Sequence, residues 1–405
     1  MSYFKTKDKK DCCACSACVH SCPVHAIKFE RDEEGFDYPI VNEDMCIKCG
    51  LCERICPVNH PQFCNNRTPE VFASYLKDID ERKKSTSGGI FYEIAMWVLD
   101  KGGFVYGAAM DDNHKVAHIE VDNYIDLQTL RGSKYVQSDL GSIFIRIKER
   151  LKEGKWCYFT GTGCQVAGLY AFLKKKYETL LTTDVVCHGV PSQWLFDQHI
   201  SYLENKYNAR IEDYHFRNNE KGTGGELFFV VNSRGNRRKI HNPTYNLSPY
   251  LYSFMYGMTC RWSCYDCKFA KIPRQGDITL ADFWGAKDYF PEIDISKGVS
   301  LCLVNSSVGK TVWDSIKNKC EYKASNLQDA AKKNKNLVCS SEPHVNRCNI
   351  YEKILRDGYS AVAKKEFRIE HYYKLKFFAY VNQTPFLAAL IKVLSDIKNR
   401  IINLK

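Results

Sequence analysis

The pattern of apolar and polar residues predicts alternating helices and strands in the part of the chain that follows residue 68. Ser87-Gly88-Gly89 precedes a run of apolar residues at helical spacing over residues 90–98, and residues 100–103 end that pattern. Residues 104–110 then have the composition of a strand. A helix that leads into a strand in this way is typical of an α/β domain.

A second unit of the same kind follows farther along the chain. Residues 156–160 predict a strand, residues 161–165 a loop and residues 166–176 a helix, and residues 182–186 predict the next strand. The loop is rich in glycine, so its backbone N–H groups and the helix N-terminus could face a phosphate. Glycine serves equally well to make a tight turn between a strand and a helix, and that interpretation stays open.

The end of the chain predicts a helical tail. Apolar residues recur there at helical spacing, at Leu390, Leu394, Ile397, Ile401 and Leu404, and Lys392, Lys398, Arg400 and Lys405 surround this stripe. We expect residues 346–405 to form a basic amphipathic tail that docks on the domain, on a partner or on an anionic membrane surface. Packing or partner docking is favoured, because the polar face is only moderately basic.

The bulk composition of the chain limits its class. It has 405 residues, of which 44% are hydrophobic, enough for a small module and one or two larger domains. Residues 1–11 lack the apolar segment of a signal peptide, so we expect a reducing cytoplasm. The chain has 20 cysteines, and in such a compartment closely spaced cysteines more often bind metal or do redox work than form stable disulfides. No apolar run is long enough to span a bilayer, and we expect no nucleic-acid partner despite the net charge of +11.

Two cysteine runs near the N-terminus repeat the spacing C-x2-C-x2-C-x3-C-P of bacterial ferredoxins that bind two 4Fe-4S clusters. The runs are Cys12, Cys15, Cys18, Cys22 and Pro23, then Cys46, Cys49, Cys52, Cys56 and Pro57. In such ferredoxins the fourth cysteine of each run binds the other cluster. We therefore expect Cys56 to complete the first set and Cys22 to complete the second. Zinc knuckles are the alternative, but zinc gains nothing from the Cys-Pro ends.

A third cysteine group consists of Cys260, Cys264 and Cys267. Three ligands cannot complete a four-coordinate site, so a fourth must come from elsewhere; Cys187 is preferred, and Cys164 is the alternative. A third 4Fe-4S cluster or zinc would suit four cysteines, and the ferredoxin-like runs favour iron. Buried or free thiols are the remaining interpretation.

Several ordered blocks of the chain resemble the beta-subunit family of coenzyme F420 hydrogenases and dehydrogenases. The resemblance covers roughly residues 70–300, in addition to the ferredoxin-like module. The blocks are Ser85-Thr-Ser-Gly-Gly, Arg131-Gly-Ser-Lys-Tyr-Val-Gln-Ser, Phe159-Thr-Gly-Thr-Gly-Cys-Gln-Val-Ala-Gly-Leu, Asp184-Val-Val-Cys-His-Gly-Val-Pro-Ser, residues 260–270, and Asp277-Ile-Thr-Leu-Ala-Asp-Phe-Trp-Gly. The family usually has proline where this chain has Gly163, which implies a more flexible loop here.

The resemblance implies a flavoprotein that binds FAD and passes electrons between iron-sulfur clusters and a two-electron acceptor. The positions that it places around FAD are Ser87, Gly88, Gly89, Ser133, Lys134, Tyr135, Gln137, Thr160, Thr162 and Gln165. Lys134 would balance negative charge on the reduced flavin or a phosphate, and a solvated surface lysine is the alternative. His188 could donate a proton to flavin or substrate, and Asp282 and Trp284 could lie near the cluster, although structural roles are common for such residues.

Together these inferences predict an α+β protein with three parts. Residues 1–64 form a two-cluster ferredoxin-like domain, residues 65–345 a larger α/β domain that binds flavin and iron-sulfur, and residues 346–405 the tail. The predicted function is a cytoplasmic oxidoreductase that relays electrons between a ferredoxin or other redox protein and a small-molecule substrate. A non-catalytic electron-transfer subunit and a zinc-bearing scaffold are the alternatives.

Overall fold

The computed structural model describes residues 2–218 and 226–383. The strands in these ranges are β1 (Ile27–Arg31), β2 (Asp37–Val41), β3 (Glu70–Leu76), β4 (Phe104–Met110), β5 (Val116–Val121), β6 (Cys157–Thr162), β7 (Leu180–Val185), β8 (Arg210–Asn218), β9 (Glu226–Ser233), β10 (Asn236–Asn242), β11 (Ile278–Asp282), β12 (Ser300–Val304) and β13 (Cys320–Ser325). They form sheets of eight, three and two strands.

The helices in the same ranges vary from one turn to four. They are α1 (Tyr3–Thr6), α2 (Ala17–Ser21), α3 (Leu51–Arg54), α4 (Ile79–Lys83), α5 (Ile90–Leu99), α6 (Tyr124–Leu130), α7 (Ile143–Lys152), α8 (Gly163–Leu173), α9 (Gln193–Tyr207), α10 (Pro249–Met255), α11 (Ala286–Tyr289), α12 (Ser307–Ile316), α13 (Leu327–Lys333), α14 (Arg347–Asp357), α15 (Tyr359–Lys365) and α16 (Tyr372–Gln383). Short 3-10 helices occur at Lys9–Asp11, Tyr245–Leu247, Trp262–Cys264, Lys317–Lys319 and Lys335–Leu337.

The eight-stranded sheet is the centre of the fold. Its order is β13-β3-β12-β11-β7-β6-β4-β5, and the central strands β11, β7, β6 and β4 run parallel. The outer strands pair antiparallel with their neighbours. The carboxyl ends of the parallel strands therefore meet at one edge, where ligands bind in open α/β sheets.

Helices cover both faces of this sheet because the strands alternate their side chains between two cores. Val105 and Tyr158 pack with residues of α5 and α12 on one face. Their chain neighbours Tyr106 and Phe159 pack with residues of α7 and α8 on the other. This layered arrangement confirms the α/β character that the pattern predicts for the larger part of the chain.

The three-stranded sheet has the order β10-β9-β8, and its strands are antiparallel. Its buried residues share one core with α9, α10, α14 and α15. Phe36, which precedes β2, and Tyr38 within β2 belong to the N-terminal module and are also part of that core. The module is therefore packed onto the rest of the protein by apolar side chains.

Most predicted elements of the α/β part are present, but the predicted boundary of the second helix is wrong. The loop expected at residues 161–165 is largely helical, because α8 begins at Gly163 and ends at Leu173. Thr162 and Gln165 form a reciprocal capping box that supports the earlier start. At the other end Lys174 adopts a left-handed conformation with φ of 60°, which stops the helix.

The predicted tail is helical as far as the structure describes it. Ile350, Tyr351 and Tyr359 of α14 and α15 are buried in the core that contains β8 and β9. The apolar stripe from Leu390 to Leu404 lies outside the described residues. Across residues 2–218 and 226–383, no helix combines the length and apolar character that a membrane crossing requires.

Candidate functional site

The first predicted set of cluster ligands surrounds one cavity. Cys12, Cys15, Cys18 and Cys56 all line it, together with Pro57. Burial raises the pKa of the Cys18 thiol well above its ordinary value, and the nearby Cys12 and Cys56 thiols raise it further. Four crowded thiols fit a 4Fe-4S cluster, because metal binding removes their protons and offsets the thiolate charge. This set combines the two runs as their spacing predicts.

The two cysteine runs follow the same backbone path. Ala14 and Lys48 occupy matched positions and have φ values of 53° and 54°. Ser16 and Gly50 are also matched, with φ values of 64° and 68°. Left-handed backbone is costly for most residues. Its recurrence at matched positions indicates that both loops turn their thiols toward a common centre in the same way.

The second set lies closer to the surface than the first. Cys49 is exposed and Cys46 and Cys52 are half-buried, whereas Cys15 is buried. The expected fourth member, Cys22, follows α2, and its Sγ accepts a hydrogen bond from the Ala26 backbone N–H at 3.2 Å. An external electron carrier could therefore approach the second set more easily than the first.

The third set is brought together by loops at the carboxyl edge of the large sheet. Cys187 follows β7, and its thiol lies near those of Cys260, Cys264 and Cys267. Burial raises the pKa of Cys187 and of Cys260 to about 12. Gly189 makes the approach possible, since a Cβ there would stand 2.7 Å from the Cys260 Sγ. Four buried thiols at one place fit a metal cluster.

Cys164, the alternative fourth ligand, lies at the same site. Its thiol lies close enough to the thiols of Cys187, Cys264 and Cys267 to raise their pKa. It also contacts the thiol of Cys13, a residue outside the predicted ligand sets. Both alternatives therefore reach the third set, and Cys164 additionally reaches toward the N-terminal module.

A buried ion pair fixes the loop that carries the third set. Arg274 Nη2 lies 2.7 Å from Asp184 Oδ2 at the end of β7. The same guanidinium donates hydrogen bonds to the carbonyl oxygens of Phe269 and Val185, each at 3.1 Å. The segment just after Cys267 is thereby tied to the strand that precedes Cys187.

The first and third cysteine sets are neighbours in space. Cys13 and Cys15 share a small buried cluster with Ala167 and Phe269, and Cys164 and Cys267 pack against it. Gly168 of α8 allows the contact, because a Cβ there would stand 2.7 Å from the Cys15 Cβ. The module thus rests directly on the first half of α8.

Several blocks expected around flavin meet at the same edge of the sheet. Ser133 Oγ lies 3.2 Å from Thr86 Oγ1, which joins two of the blocks. Gly88 donates its N–H to Ser300 Oγ at 2.9 Å, and a Cβ at Gly88 would clash with the Ser74 carbonyl oxygen. Only glycine fits at this position, whether or not a ligand is present.

Thr162 and Gln165 belong to a polar network that also contains two residues not predicted. Gln165 Nε2 donates to Ser138 Oγ at 3.0 Å, and Ser138 Oγ lies 2.8 Å from His118 Nδ1. His118 Nε2 lies 3.0 Å from the carbonyl oxygen of Thr160. Burial lowers the pKa of His118 to about 4, so a neutral imidazole links β5 to the start of α8.

Two of the residues expected at flavin have structural partners. Lys134 Nζ donates to the carbonyl oxygens of Thr129 and Arg131, each at 2.8 Å, and so caps the end of α6. Burial lowers the pKa of Lys134 to about 7. The Tyr135 ring packs against Phe254, with centroids 5.1 Å apart. The sequence pattern does not indicate either set of contacts.

Gln137 connects the module to the third cysteine loop. Its Nε2 donates to the Cys13 carbonyl oxygen at 3.3 Å, and its Oε1 accepts from Arg261 Nη1 at 3.3 Å. Its backbone N–H also donates to the Pro191 carbonyl oxygen. The structure therefore places Gln137 between cysteine sets, whereas the resemblance implies a position beside FAD.

His188 lies next to Cys187, as the chain order requires. Its Nδ1 is 3.3 Å from Asn336 Oδ1 and 3.2 Å from Ser341 Oγ. Its Nε2 is buried without a hydrogen-bond partner among the described residues. A ring held by one nitrogen, with the other unbonded, could hold or deliver a proton at Nε2.

Asp282 and Trp284 lie at the end of β11, at the same edge. Asp282 Oδ2 accepts a hydrogen bond from Arg217 Nη1 at 2.6 Å. Trp284 is 49% exposed, and the Arg217 guanidinium lies 5.9 Å from its ring centroid. The tryptophan is therefore half exposed rather than buried, and its open face borders the carboxyl edge of the sheet.

Three buried residues at this site, together with the half-buried Ser138, are absent from the sequence-based prediction. Arg261 donates to the Cys12 carbonyl oxygen, and Arg347 donates to the Cys260 carbonyl oxygen. His118 and Ser138 complete the network of Gln165. Arg261 and Ser138 lie inside the blocks that resemble the family, which is the signal that could have found them. His118 and Arg347 stand in ordinary strand and helix patterns that carry none.

Comparison with known sequences identifies two regions. Residues 154–330 match the family of the C-terminal region of the coenzyme F420 hydrogenase/dehydrogenase beta subunit. Residues 11–60 match the family described as "4Fe-4S dicluster domain". Residues 154–330 belong to the F420 hydrogenase/dehydrogenase beta-subunit family. The N-terminal module is a 4Fe-4S dicluster domain.

Curated relatives match parts of the chain. A "Ferredoxin 7Fe" from Hydrogenibacillus schlegelii is 38% identical over 65 residues, 15% of this chain and 72% of that protein. The ferredoxin-type protein NapF of Haemophilus influenzae is 44% identical over 45 residues, 11% of this chain and 26% of its own length. An uncharacterized protein of Methanocaldococcus jannaschii is 27% identical over 210 residues, 43% of this chain and 56% of that protein.

A solved structure also matches this chain. It is a chain of the F420-reducing [NiFe] hydrogenase complex from Methanosarcina barkeri, with 18% sequence identity and a TM-score of 0.43. The match covers 71% of this chain and 92% of that chain.

Proposed function

We propose that this chain is an iron-sulfur flavoprotein oxidoreductase with three 4Fe-4S clusters and FAD. The clusters would supply one-electron transfer, and the flavin would exchange single electrons for a hydride. The observation that carries the proposal is the proximity of the first and third cysteine sets: Cys15 of the first set shares a small buried cluster with Phe269, and Cys267 of the third set packs against that cluster. Neighbouring sets of buried thiols favour a conducting role over isolated structural metals.

For the third cluster we propose Cys187, Cys260, Cys264 and Cys267 as the ligands. The turn at Gly189, two residues after Cys187, packs against both Cys260 and Cys264, since a Cβ at Gly189 would stand 2.7 Å from the Cys260 Sγ and 3.3 Å from the Cys264 Cβ. The Cys164 thiol raises the pKa of the Cys187 and Cys267 thiols, but its Sγ lies 3.0 Å from Thr162 Oγ1 and it also interacts with the Cys13 thiol. These contacts favour Cys187 as the fourth ligand and leave Cys164 beside the cluster.

For FAD we propose the crevice formed by the start of α5, the segment around Ser133 and the start of α8. Both helices begin at the carboxyl edge, so their first N–H groups and positive dipole ends suit a pyrophosphate. Gly88 and Gly89 let the backbone approach closely where a side chain would clash. In this arrangement Lys134 and Gln137 support the crevice wall, and Thr162 and Gln165 hold the start of α8.

For the substrate we propose a two-electron acceptor or donor, either coenzyme F420 or another small molecule. His188, whose Nε2 is buried and has no partner within the described ranges, would hold the proton that accompanies hydride transfer. The exposed face of Trp284 would give an aromatic ring a surface on which to stack. A ferredoxin or another redox protein would exchange electrons at the second set, where Cys49 is exposed.

A non-catalytic electron-transfer subunit is the second candidate. The matched family consists of beta subunits, which favours a chain that works with other subunits. In that case the flavin would serve a partner enzyme, and the isolated chain would lack a substrate of its own.

The test is anaerobic purification followed by flavin and metal analysis and a dye assay. We expect a brown protein with FAD, and steady reduction of an artificial dye when the correct small molecule is supplied. Flavin and iron without turnover on F420 or other candidate substrates would favour the electron-transfer role. Zinc in place of iron and flavin would contradict both. Cys64→Ala, which removes an exposed cysteine outside the three sets, is the matched control and should change nothing.

A further inference from the structure

Arg261 lies between the first and the third cysteine sets. It directly follows Cys260 in the chain, yet its side chain reaches the N-terminal module. Its Nε donates to the Cys12 carbonyl oxygen at 2.7 Å, and its Nη2 donates to the Asp37 carbonyl oxygen at 2.9 Å. One residue is thus hydrogen-bonded to a ligand residue of the first set and covalently joined to a ligand residue of the third.

The backbone of Arg261 also holds the third set. Its N–H donates to the Val190 carbonyl oxygen at 2.9 Å, in the loop that contains Cys187. Its carbonyl oxygen accepts from the Cys264 N–H at 2.9 Å. Arg261 therefore fixes Cys260, Cys264 and the Cys187 loop relative to one another as well as relative to the module.

The charge of Arg261 has an unusual environment. The residue is 1% exposed, and its guanidinium stacks 4.1 Å from the centroid of the Tyr38 ring. Within residues 2–218 and 226–383, no carboxylate forms an ion pair with it. A buried cation is costly without an opposite charge. The thiols that face it are those of Cys12, Cys13 and Cys264. Cys12 and Cys264 are proposed cluster ligands, so an anionic cluster at each set would supply the opposite charge.

We propose that Arg261 is a positioning residue that couples the first cluster to the third and raises the reduction potentials of both. This inference rests on the proposed function, because it requires clusters at these cysteines. A fixed positive charge favours the reduced cluster, which carries one more electron, so the potential rises. The hydrogen bond to Cys12 gives a continuous bonded path from the first set to Cys260.

The test compares Arg261→Gln and Arg261→Lys with the wild type in the anaerobic holoprotein. Redox titration followed by electron paramagnetic resonance should show lower potentials for the first and third clusters in Arg261→Gln. The second cluster, at Cys46, Cys49 and Cys52, should keep its potential. Arg31→Gln is the matched control: Arg31 is an exposed arginine of the same module, paired with Asp37, and its loss should shift none of the three.

Arg261→Lys separates charge from geometry. Lysine keeps the positive charge but lacks the planar fork that reaches three acceptors. Its potentials should stay near those of the wild type, whereas electron transfer to the third cluster should slow by about tenfold or more. The rate is measured by rapid mixing with reduced methyl viologen and freeze-quench spectroscopy.

The outcomes are distinct. Unchanged potentials in Arg261→Gln together with an unchanged rate in Arg261→Lys would overturn the proposal. If Arg261→Gln fails to retain its clusters, the rate in Arg261→Lys decides alone, and a wild-type rate overturns the proposal. A wild type without clusters at the first and third sets would instead defeat the proposed function.

Discussion

At the scale of single residues, the chain order predicts which cysteines come together but not which side chains surround them. Cys12, Cys15 and Cys18 follow a local rule, because three thiols two residues apart can reach one centre without help from the rest of the fold. Arg261 and His118 follow no local rule. Arg261 meets the Cys12 carbonyl across 249 positions, and His118 meets Thr160 across 42. Such contacts depend on the folded topology, which single-residue patterns do not encode.

The buried His118 should make the protein acid-sensitive. Its pKa is about 4 in the folded protein and 6.5 in the unfolded reference, so the unfolded state binds a proton first as pH falls. The free energy of unfolding is unaffected by His118 protonation above pH 6.5, and it falls by about 3 kcal/mol in total as the pH decreases toward 4.

Melting temperatures at pH 7 and pH 5 check this expectation. The difference between the two should be smaller in His118→Gln than in the wild type, although the variant is less stable at pH 7 because Ser138 loses one of its two hydrogen-bond partners. His371→Gln, at an exposed position, is the control and should keep the wild-type difference. An equal pH dependence in all three proteins would show that His118 is not held neutral.

At the scale of elements, apolar periodicity predicts the existence of α5, β4 and β7 and misplaces the start of α8. The pattern begins at Val166, but the helix begins at Gly163, since capping chemistry determines a helix N-terminus. The expected loop of high flexibility is therefore a capped first turn. Glycine at position 163, where the family usually has proline, does not disturb this first turn, because the first helical position accepts either residue.

Gly163→Pro should stabilise the protein by about 0.5 kcal/mol, because proline restricts the unfolded chain and suits the first turn of a helix. Thr162 already has φ of −75° and ψ of 159°, which a following proline favours. The new Cβ would lie 3.2 Å from the Phe269 Cβ, so Phe269 must shift slightly.

The melting temperatures of Gly163→Pro and Gly163→Ala test this. Alanine adds the same Cβ without the ring, and it isolates the contact with Phe269. A lower melting temperature for proline than for alanine would mean that the first turn of α8 does not accept the ring.

At the scale of the whole molecule, the module and the larger domain form one structure rather than separate parts. Glu34 in the β1–β2 turn accepts two hydrogen bonds from Arg347 of α14, at 2.9 and 2.6 Å. Arg347 Nε also donates to the Cys260 carbonyl oxygen at 3.0 Å. The sequence predicts the module and the α/β domain separately, since each has its own motifs. It does not predict this junction, because the partners are 313 and 87 positions apart.

Glu34→Ala should destabilise the protein by about 3 kcal/mol, because it leaves the Arg347 guanidinium buried without its carboxylate. Glu33→Ala is a matched control at the next residue. Glu33 is 65% exposed and pairs with Lys9, so its loss should cost under about 1 kcal/mol. Thermal unfolding of both variants measures the difference, and equal melting temperatures would contradict a junction held by the buried pair.

The central claim is that three cysteine sets hold three 4Fe-4S clusters, and the iron content of the anaerobic protein tests it most directly. Wild type should contain about twelve irons per chain and Cys264→Ala about eight, since each cluster holds four. Eight irons in both proteins would contradict the account, because the third set would then hold no cluster.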